Sequence, residues 1–183
     1  INVSISLGEK TMNLANFFGE QKYTIFAVDD NENNLKILKM ILEKEGYLVE
    51  TLHDGTRAIS LINEKRPDLI LLDVLMPGVD GFEICRAIKE NEATKRTPMI
   101  IISALNQLDD KIKGIELGAD EFLTKPINKR ELLTRVKMLL KFKLLDSQLE
   151  NSRNVIMSLA FATDFKDTFR KGHSKRVGMY ATE

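Results

Sequence analysis

The chain has 183 residues, of which 43% are hydrophobic and 30% are charged. A chain of this length and composition can bury an ordinary core, which excludes a natively unfolded tail protein. Lys and Arg together number 27, as do Asp and Glu, so no overall basic excess attracts nucleic acid or an anionic membrane. We therefore expect neither of these as a partner.

Cysteine usage and the length of the apolar runs indicate a cytoplasmic protein. The single cysteine, Cys85, cannot form an internal disulfide, which is typical of a reducing compartment. The longest apolar runs, 69–72 and 99–102, are far shorter than the ~20 residues of a membrane-spanning helix. We expect no secretion signal, because the first residues do not lead from a basic region into an apolar one. Because residue 1 is Ile and not Met, we expect this chain to be a piece of a longer protein.

From residue 23 onward, short β-branched and aromatic runs alternate with longer segments of helical periodicity. This alternation is typical of repeated βαβ units around a parallel sheet, so we predict an α/β doubly wound fold with five strands. The third and fourth runs lack in-out alternation, as expected for central strands covered by helices on both faces. The predicted strands are 23–28, 47–52, 68–72, 99–103 and 121–124.

Four segments between these strands carry apolar residues at helical spacing, which predicts one buried face on each helix. The four sets are Leu35, Leu38, Ile41 and Leu42; Ala58, Leu61 and Ile62; Phe82, Cys85 and Ile88; and Leu108, Ile112 and Ile115.

A long helix is predicted after Pro126, because neither Gly nor Pro recurs before Gly172. We expect residues 132–140 to pack on the sheet. Beyond them, a three-four alternation predicts a coiled-coil seam of fewer than three heptads, through which the chain would form a homodimer; packing on its own domain is the alternative. The seam consists of Phe142, Leu145, Leu149, Ser152, Ile156 and Leu159.

Chemistry-bearing residues follow four of the predicted strands, at the edge where open parallel sheets bind ligands. Asp29 and Asp30 follow the first strand, Asp73 the third, Ser103 ends the fourth and Lys125 follows the fifth. Converging carboxylates repel one another unless a cation lies among them, and Mg²⁺ prefers oxygen ligands. The set therefore predicts a Mg²⁺ site beside a phosphoryl group, with an aspartate as nucleophile.

Each residue of this set also has a structural explanation. Asp29 and Asp30 could cap the next helix, Asp73 could cap its own turn, and a Lys or Ser in a loop is commonly solvated. Their joint placement at successive strand ends favours a site. No Gly-rich phosphate loop or dinucleotide fingerprint offers another phosphate site.

Residues 23 to about 142 resemble the response-regulator receiver domain of two-component signalling. Four stretches carry the resemblance: Val-Asp-Asp at 28–30, Leu-Asp-Val-Leu-Met-Pro-Gly-Val-Asp-Gly at 72–81, Ile-Ser-Ala at 102–104 and Phe-Leu-Thr-Lys-Pro at 122–126. The resemblance implies a flavodoxin-like fold, a histidine kinase as phosphodonor, and a switch that acts on a C-terminal output domain.

The resemblance also implies roles for the site residues. Asp73 would be the phosphoacceptor, and Lys125 would contact the phosphoryl group. Asp30 and Asp73 would bind Mg²⁺ with the backbone carbonyl of Leu75, while Asp29 would act through metal-bound water.

A switch pair is implied further along the chain. Ser103 would gain a hydrogen bond to the phosphoryl group, and Phe122 would rotate into the space that this opens. The surface of the fourth helix and fifth strand would change as a consequence. The peptide bond before Pro126 is a candidate cis bond.

Two positions depart from what rapid dephosphorylation needs. The residues two beyond Asp73 and Ser103 are Leu75 and Leu105, where a polar side chain could orient an attacking water. We therefore predict slow self-dephosphorylation. A degenerate receiver that serves only as a phosphorylation-independent docking module is a further alternative.

A second resemblance lies at the end of the chain. Ala-Thr-Asp-Phe-Lys-Asp at 162–167 and Gly-His-Ser-Lys-Arg-Val at 172–177 resemble the opening of an HD-GYP-type cyclic di-GMP phosphodiesterase domain. His173 would correspond to a metal ligand there, although Phe169 stands where some members have Glu; a surface histidine on a basic helix is the alternative. The family's His-Asp pair and Gly-Tyr-Pro motif are not among these residues.

These observations give a domain plan with four parts. Residues 1–22 are an unassigned extension, for which a leader, a packed extra helix and the end of an upstream segment remain open. Residues 23–142 are the receiver, 143–162 a helical linker, and 163–183 the start of a truncated output domain. The intact protein is then either a phosphorylation switch with some other output or a cyclic di-GMP phosphodiesterase gated by its receiver.

Overall fold

The computed structural model describes residues 4–7, 10–13, 22–104 and 108–180, with side chains for 22–160 apart from 79 and 105–107. The chain divides into two units, Ile1–Leu140 and Lys141–Glu183. Among the described residues there are nine strands, five α-helices and one 3₁₀ helix, Gly55–Arg57. The strands are β1 (Ser4–Leu7), β2 (Lys10–Asn13), β3 (Thr24–Val28), β4 (Leu48–Leu52), β5 (Leu69–Asp73), β6 (Leu75–Met76), β7 (Val79–Asp80), β8 (Met99–Ser103) and β9 (Glu121–Thr124). The helices are α1 (Glu32–Glu43), α2 (Ala58–Lys65), α3 (Gly81–Glu90), α4 (Leu108–Glu116) and α5 (Lys129–Tyr180).

Five of these strands form one parallel sheet in the order β4-β3-β5-β8-β9. This is the order of a flavodoxin-like doubly wound sheet, so the predicted fold class and the five predicted strands are confirmed. Every residue of β5 and β8 is buried, as expected for internal strands with helices on both faces. The strand order reverses between β3 and β5, which makes their carboxyl ends the favoured place for a ligand.

Two hydrophobic clusters cover the two faces of the sheet. One combines α1 with the beginning of α5, and the other combines α2 with α3. The predicted buried faces of α1 and α3 are confirmed in full, and that of α2 is buried at Ala58 and Ile62 with Leu61 partly covered. The expectation that residues 132–140 pack on the sheet is also confirmed, since the cluster includes Leu132, Val136, Leu139 and Leu140.

The predicted buried face of α4 is wrong. Leu108, Ile112 and Ile115 are 70%, 43% and 60% exposed, so they form an apolar stripe on the outside of the helix. The side that faces the sheet is marked by Gly114, where an added Cβ would lie 2.9 Å from the side chain of Ile101. A residue without a side chain lets the helix approach the sheet closely, and apolar periodicity alone does not reveal this.

Two lysines of α4 cover aromatic rings of neighbouring elements. The ammonium group of Lys113 lies 4.1 Å from the ring centroid of Phe82, and that of Lys111 lies 5.8 Å from that of Phe122. Long lysine side chains can cover apolar surface while their charges stay in water. The spacing of the apolar residues predicts that these two lysine positions lie on the outer face of α4. In the structure, their side chains instead cover aromatic rings.

Two short antiparallel ribbons accompany the main sheet. β1 pairs with β2, so an extra helix over residues 4–7 and 10–13 of the N-terminal extension is wrong. β6 pairs with β7 directly after β5, with Leu75 opposite Asp80. The turn between them contains Gly78 at a φ of 78°, a left-handed conformation that favours glycine.

In the second unit, the described side chains of residues 141–160 are exposed, apart from Lys143, which is partly buried. The apolar seam residues Phe142, Leu145, Leu149, Ile156 and Leu159 are 45% to 71% exposed. No helix among the described residues is both long enough and apolar enough to cross a membrane. The side chains of the predicted output segment, including His173 and Phe169, lie outside the described residues.

Candidate functional site

Asp29 is fixed by the loop that joins β3 to α1. Its carboxylate is buried and accepts hydrogen bonds from the backbone N–H of Asn31, at 2.9 Å, and from Asn34 Nδ2, at 3.1 and 3.0 Å. Asn31 in turn caps α1, because its side chain accepts from the backbone N–H groups of Asn33 and Asn34. The start of the helix therefore sets the orientation of the carboxylate.

Asp73 is the last residue of β5 and is also buried. Its Oδ1 accepts a hydrogen bond of 2.9 Å from the backbone N–H of Leu75, which fixes the turn into β6. The first residue of α3 passes very close to this turn, since a Cβ on Gly81 would lie 2.4 Å from Val74 Cα and 2.6 Å from the Asp73 carbonyl oxygen. Only glycine fits this approach without a shift of the backbone.

Lys125, directly after β9, connects the two buried acids. Its Nζ lies 2.8 Å from Asp29 Oδ2 and 2.5 Å from Asp73 Oδ2. Its backbone N–H donates to the carbonyl oxygen of Ser103 at 2.9 Å. The peptide bond between Lys125 and Pro126 is cis, which confirms that expectation.

Burial and charge act in opposite directions on the ionisable groups of this pocket. Burial raises the pKa of Asp73, although the hydrogen bonds from Lys125 and from the backbone of Leu75 partly offset the rise. Burial alone would lower the pKa of Lys125, but the hydrogen bonds and charges of Asp29 and Asp73 raise it above its usual value. Lys125 is therefore charged at neutral pH and favours the ionised form of the Asp73 carboxylate.

The donor set of the pocket fits a hard divalent cation. Asp29, Asp30 and Asp73 each offer one carboxylate oxygen, and these oxygens lie within 4.8 Å of one another. Asp30 is exposed, so the cluster is open to water on one side. With Lys125 bound to two of the three carboxylates, two formal negative charges remain. Mg²⁺ matches this charge and the preference for oxygen ligands and retained waters.

Ser103 and Phe122 lie on the same face of the sheet. Ser103 is fully buried and pairs with Thr124, while Phe122 pairs with Ile101 two residues earlier in the ladder. Because side chains alternate across a strand, Ser103 shares the face of Ile101 and hence of Phe122. Phe122 is partly buried against the cluster that contains α3.

The remaining sequence-based candidates differ in how far the structure describes them. Leu75 is 47% exposed next to the pocket, and Leu105 lies outside the described residues. The structural explanations were right in part, because Asp29 and Asp73 both accept backbone N–H groups of their own turns.

Sequence reasoning missed two residues of the site. For the close approach of two backbone segments at Gly81, the only signal in the sequence is the glycine itself. Asn34 gave a weak signal, an amide five residues after Asp29 in the first turn of a helix.

Comparisons with known proteins agree with this geometry. The profile of the response regulator receiver domain family matches residues 25–137. The response regulator PleD of Caulobacter vibrioides is 45% identical over 125 residues, which are 68% of this chain and 28% of that protein. The chain thus spans less than a third of this curated relative.

Solved structures give the same result. The chemotaxis protein CheY4 of Vibrio cholerae is 31% identical, with a TM-score of 0.61 over 64% of this chain and 98% of that chain. The receiver domain of the Francisella response regulator 1452 is 33% identical, with a TM-score of 0.62 over 66% of this chain and 98% of that chain. The chain belongs to the response regulator receiver domain family.

Proposed function

We propose that this chain is a phosphorylation-dependent switch that accepts a phosphoryl group on Asp73 from a histidine kinase. One observation carries the proposal: Lys125 Nζ lies within hydrogen-bond distance of both Asp29 and Asp73, next to an exposed third carboxylate. A cation shared by two buried acids at the switch point of the sheet is suited to receive a phosphoryl group. The membership of the chain in the receiver family supports the same reaction.

The reaction uses the carboxylate of Asp73 as an in-line nucleophile. A bond forms between an Asp73 carboxylate oxygen and phosphorus, and the bond from phosphorus to the kinase histidine breaks as that imidazole leaves. Lys125 then contacts the oxygens of the transferred group. We propose that Asp30, Asp73 and the Leu75 carbonyl hold Mg²⁺ and that Asp29 acts through its waters. When bound, this ion neutralises charge on the transferred oxygens.

The signal would leave the pocket through Ser103 and Phe122. The acyl phosphate adds negative charge and hydrogen-bond acceptors, which would draw the buried Ser103 hydroxyl inward. Phe122 lies beneath α4, because its ring is 3.7 Å from a Cβ built on Gly114. A rotation of this ring would move α4, and the exposed stripe of Leu108, Ile112 and Ile115 would present the change to a partner.

Labelling with radioactive acetyl phosphate and Mg²⁺ tests the proposed acceptor. We expect stoichiometric labelling of the wild-type chain and none of the Asp73→Asn variant. Asp109→Asn, an exposed aspartate in the first turn of α4, is the matched control and should label normally. Full labelling of Asp73→Asn would move the acceptor elsewhere. A wild-type chain that neither labels nor responds to beryllofluoride with Mg²⁺ would be a docking module instead.

We further propose the domain plan outlined above for the intact cytoplasmic protein: a receiver at 23–142, a helical linker at 143–162 and an output domain that begins at 163. The sequence that follows Glu183 tests it. A His-Asp pair and a Gly-Tyr-Pro motif there would favour the cyclic di-GMP phosphodiesterase, whereas a DNA-binding helical domain would eliminate it.

The linker is proposed to pair with a second copy of this chain. Heptad numbering places Phe142, Leu149 and Ile156 at a positions, and Leu145 and Leu159 at d positions, all of them exposed. In a parallel pair, Lys141 at position g would face Asp146 at position e of the other copy, which is an attractive contact. A second copy would therefore cover the apolar seam and pair the charge of Lys141 with that of Asp146.

Analytical ultracentrifugation tests this pairing. Leu149→Lys places a charge in the seam and should shift the chain from dimer to monomer. Asn154→Lys adds the same charge at position f, on the opposite face, and should leave the dimer intact. A monomeric wild-type chain, or equal effects of both substitutions, would contradict the pairing.

A further inference from the structure

Asn34, an uncharged residue, contacts one carboxylate of the acidic pocket, that of Asp29. Its Nδ2 lies 3.1 Å from Asp29 Oδ1 and 3.0 Å from Asp29 Oδ2, so one amide group serves both oxygens. The backbone of Asn34 is fixed as well, because its N–H donates to the capping side chain of Asn31. The amide therefore reaches Asp29 from a held position on α1.

Asp29 has a second side-chain partner, and the two partners differ in charge. Lys125 donates to Asp29 Oδ2 at 2.8 Å and to Asp73 Oδ2 at 2.5 Å. A phosphoryl group on Asp73 attracts the ammonium group strongly and a neutral amide only weakly. In the proposed reaction Lys125 therefore turns to the phosphoryl oxygens, and Asp29 keeps the bonds from Asn34 and from the backbone of Asn31.

We propose that Asn34 is a positioning residue that holds the Asp29 carboxylate in place for a divalent cation, independently of Lys125. This inference rests on the proposed function, because it assigns Asn34 to the same site. The arrangement separates two tasks. Lys125, the charged donor, is free to move to the phosphoryl group. Asn34, the neutral donor, keeps the buried Asp29 carboxylate oriented and does not compete with the cation for the negative charge of that carboxylate.

Isothermal titration of the chain with Mg²⁺ measures this role without any phosphorylation. We expect Asn34→Ala to weaken Mg²⁺ binding by about tenfold, the lower end of the scale for loss of a residue that orients a metal ligand, because Asp29 is proposed to act through metal-bound water. Asn33→Ala is the matched control, because Asn33 is the neighbouring residue of the same type on α1 and its side chain is exposed. It should bind Mg²⁺ like the wild type.

A second variant separates hydrogen bonding from packing. Asn34→Leu keeps a side chain of similar size but has no N–H to donate, so it should bind Mg²⁺ as weakly as Asn34→Ala. Ala and Leu both favour helices more than Asn does, so both variants should keep the melting temperature of the wild type. Wild-type Mg²⁺ affinity in Asn34→Leu would reduce Asn34 to a packing residue and overturn the proposal.

The outcomes distinguish this inference from the proposed function. If the wild type binds Mg²⁺ and labels on Asp73 while Asn34→Ala and Asn33→Ala bind Mg²⁺ equally well, the inference is wrong and the proposed function stands. If the wild type itself does not bind Mg²⁺, both are wrong. Labelling of Asn34→Ala that recovers at saturating Mg²⁺ would support the inference, since the chemistry of Asp73 is then intact.

Discussion

The aspartate pocket and the linker helix differ in whether the residues of a single chain satisfy their polar groups and cover their apolar surface. In the pocket, Asp29, Asp73 and Lys125 satisfy one another, and among the described side chains no buried N or O atom lacks a hydrogen-bond partner. In the linker, seam residues such as Leu149 expose most of their apolar surface to water. Exposed apolar stripes of this kind indicate a partner. The first region can be understood from one chain, whereas for the second we propose a second copy of the chain as the partner.

Two leucines of the same helix give the sharpest test of this contrast. Leu132 is fully buried and Leu149 is 71% exposed. Leu132→Ala should lower the free energy of unfolding by about 3 kcal/mol, because a buried leucine leaves a cavity. Leu149→Ala should change it by less than about 0.5 kcal/mol in the monomer, yet weaken self-association. Urea unfolding at low protein concentration measures the free energy of unfolding, and sedimentation measures self-association. Equal losses of stability would remove the contrast.

The buried sheet unit and the exposed linker can also be compared through the reactivity of a cysteine thiol placed in each. Burial raises the pKa of the Cys85 thiol from 9.0 to about 11, so at pH 8 it should react with iodoacetamide about a hundredfold more slowly than an exposed thiol that keeps the ordinary value of 9.0. A thiol introduced in the linker by Ser152→Cys, in a Cys85→Ala background, provides that reference. Equally fast labelling at both positions would show that the sheet unit opens readily.

The same shift has a consequence for stability. Because the folded state keeps the Cys85 proton longer than the unfolded state, the contribution of this thiol is complete below pH 9.0 and is lost as the pH rises to about 11. The difference in unfolding free energy between wild type and Cys85→Ala should shrink over this interval. A difference independent of pH would contradict it.

A close backbone contact should make the pocket sensitive to a single methyl group. Gly81→Ala should cost about 2 kcal/mol and reduce labelling of Asp73, because its Cβ would overlap Val74 and the Asp73 carbonyl. Gly78→Ala has no atom within 4 Å of its Cβ and should cost only about 1 kcal/mol for its left-handed backbone. Thermal unfolding and labelling together separate the two. Normal labelling of Gly81→Ala would show that the turn can shift without loss.

The smallest expected effect concerns the lifetime of the phosphoryl group. Replacing Leu105 by Asn should accelerate dephosphorylation roughly fivefold, about 1 kcal/mol in barrier, because an amide can orient the attacking water. Leu108→Asn, an exposed position on α4, is the control and should leave the decay unchanged. Decay of radioactive label measures both variants, and an unchanged rate for Leu105→Asn would reject the explanation.

Much of the fold was predictable, because apolar runs and helical spacing respond directly to burial. The strands and the inner faces of α1 and α3 follow this rule. α4 did not, because Gly114 approaches the sheet there and lysine side chains cover the flanking aromatic rings, so the apolar period marked the outer side. Periodicity shows that a helix has two unlike faces, but only the tertiary contacts decide which one is covered.

The convergence of Asp29, Asp73 and Lys125 was predictable because parallel strands end at the same edge of a sheet. Asn34 and Gly81 were not, for different reasons. The role of Asn34 depends on a side-chain direction that is set by the cap at Asn31, and that of Gly81 depends on the distance between two backbones. Neither quantity is encoded in spacing along the chain.

Lys125 also ties together strands that are distant in sequence. Its ammonium group reaches the acids that follow β3 and end β5, and its backbone N–H reaches the end of β8, so one residue links the end of β9 to the ends of three other strands. In the proposed reaction, the transferred phosphoryl group would draw the Lys125 side chain away from the two acids and leave the Lys125 main chain in place. The carboxyl edge of the sheet would then lose two side-chain hydrogen bonds at the moment it gains a charge, which would couple the proposed chemistry to the flexibility of that edge.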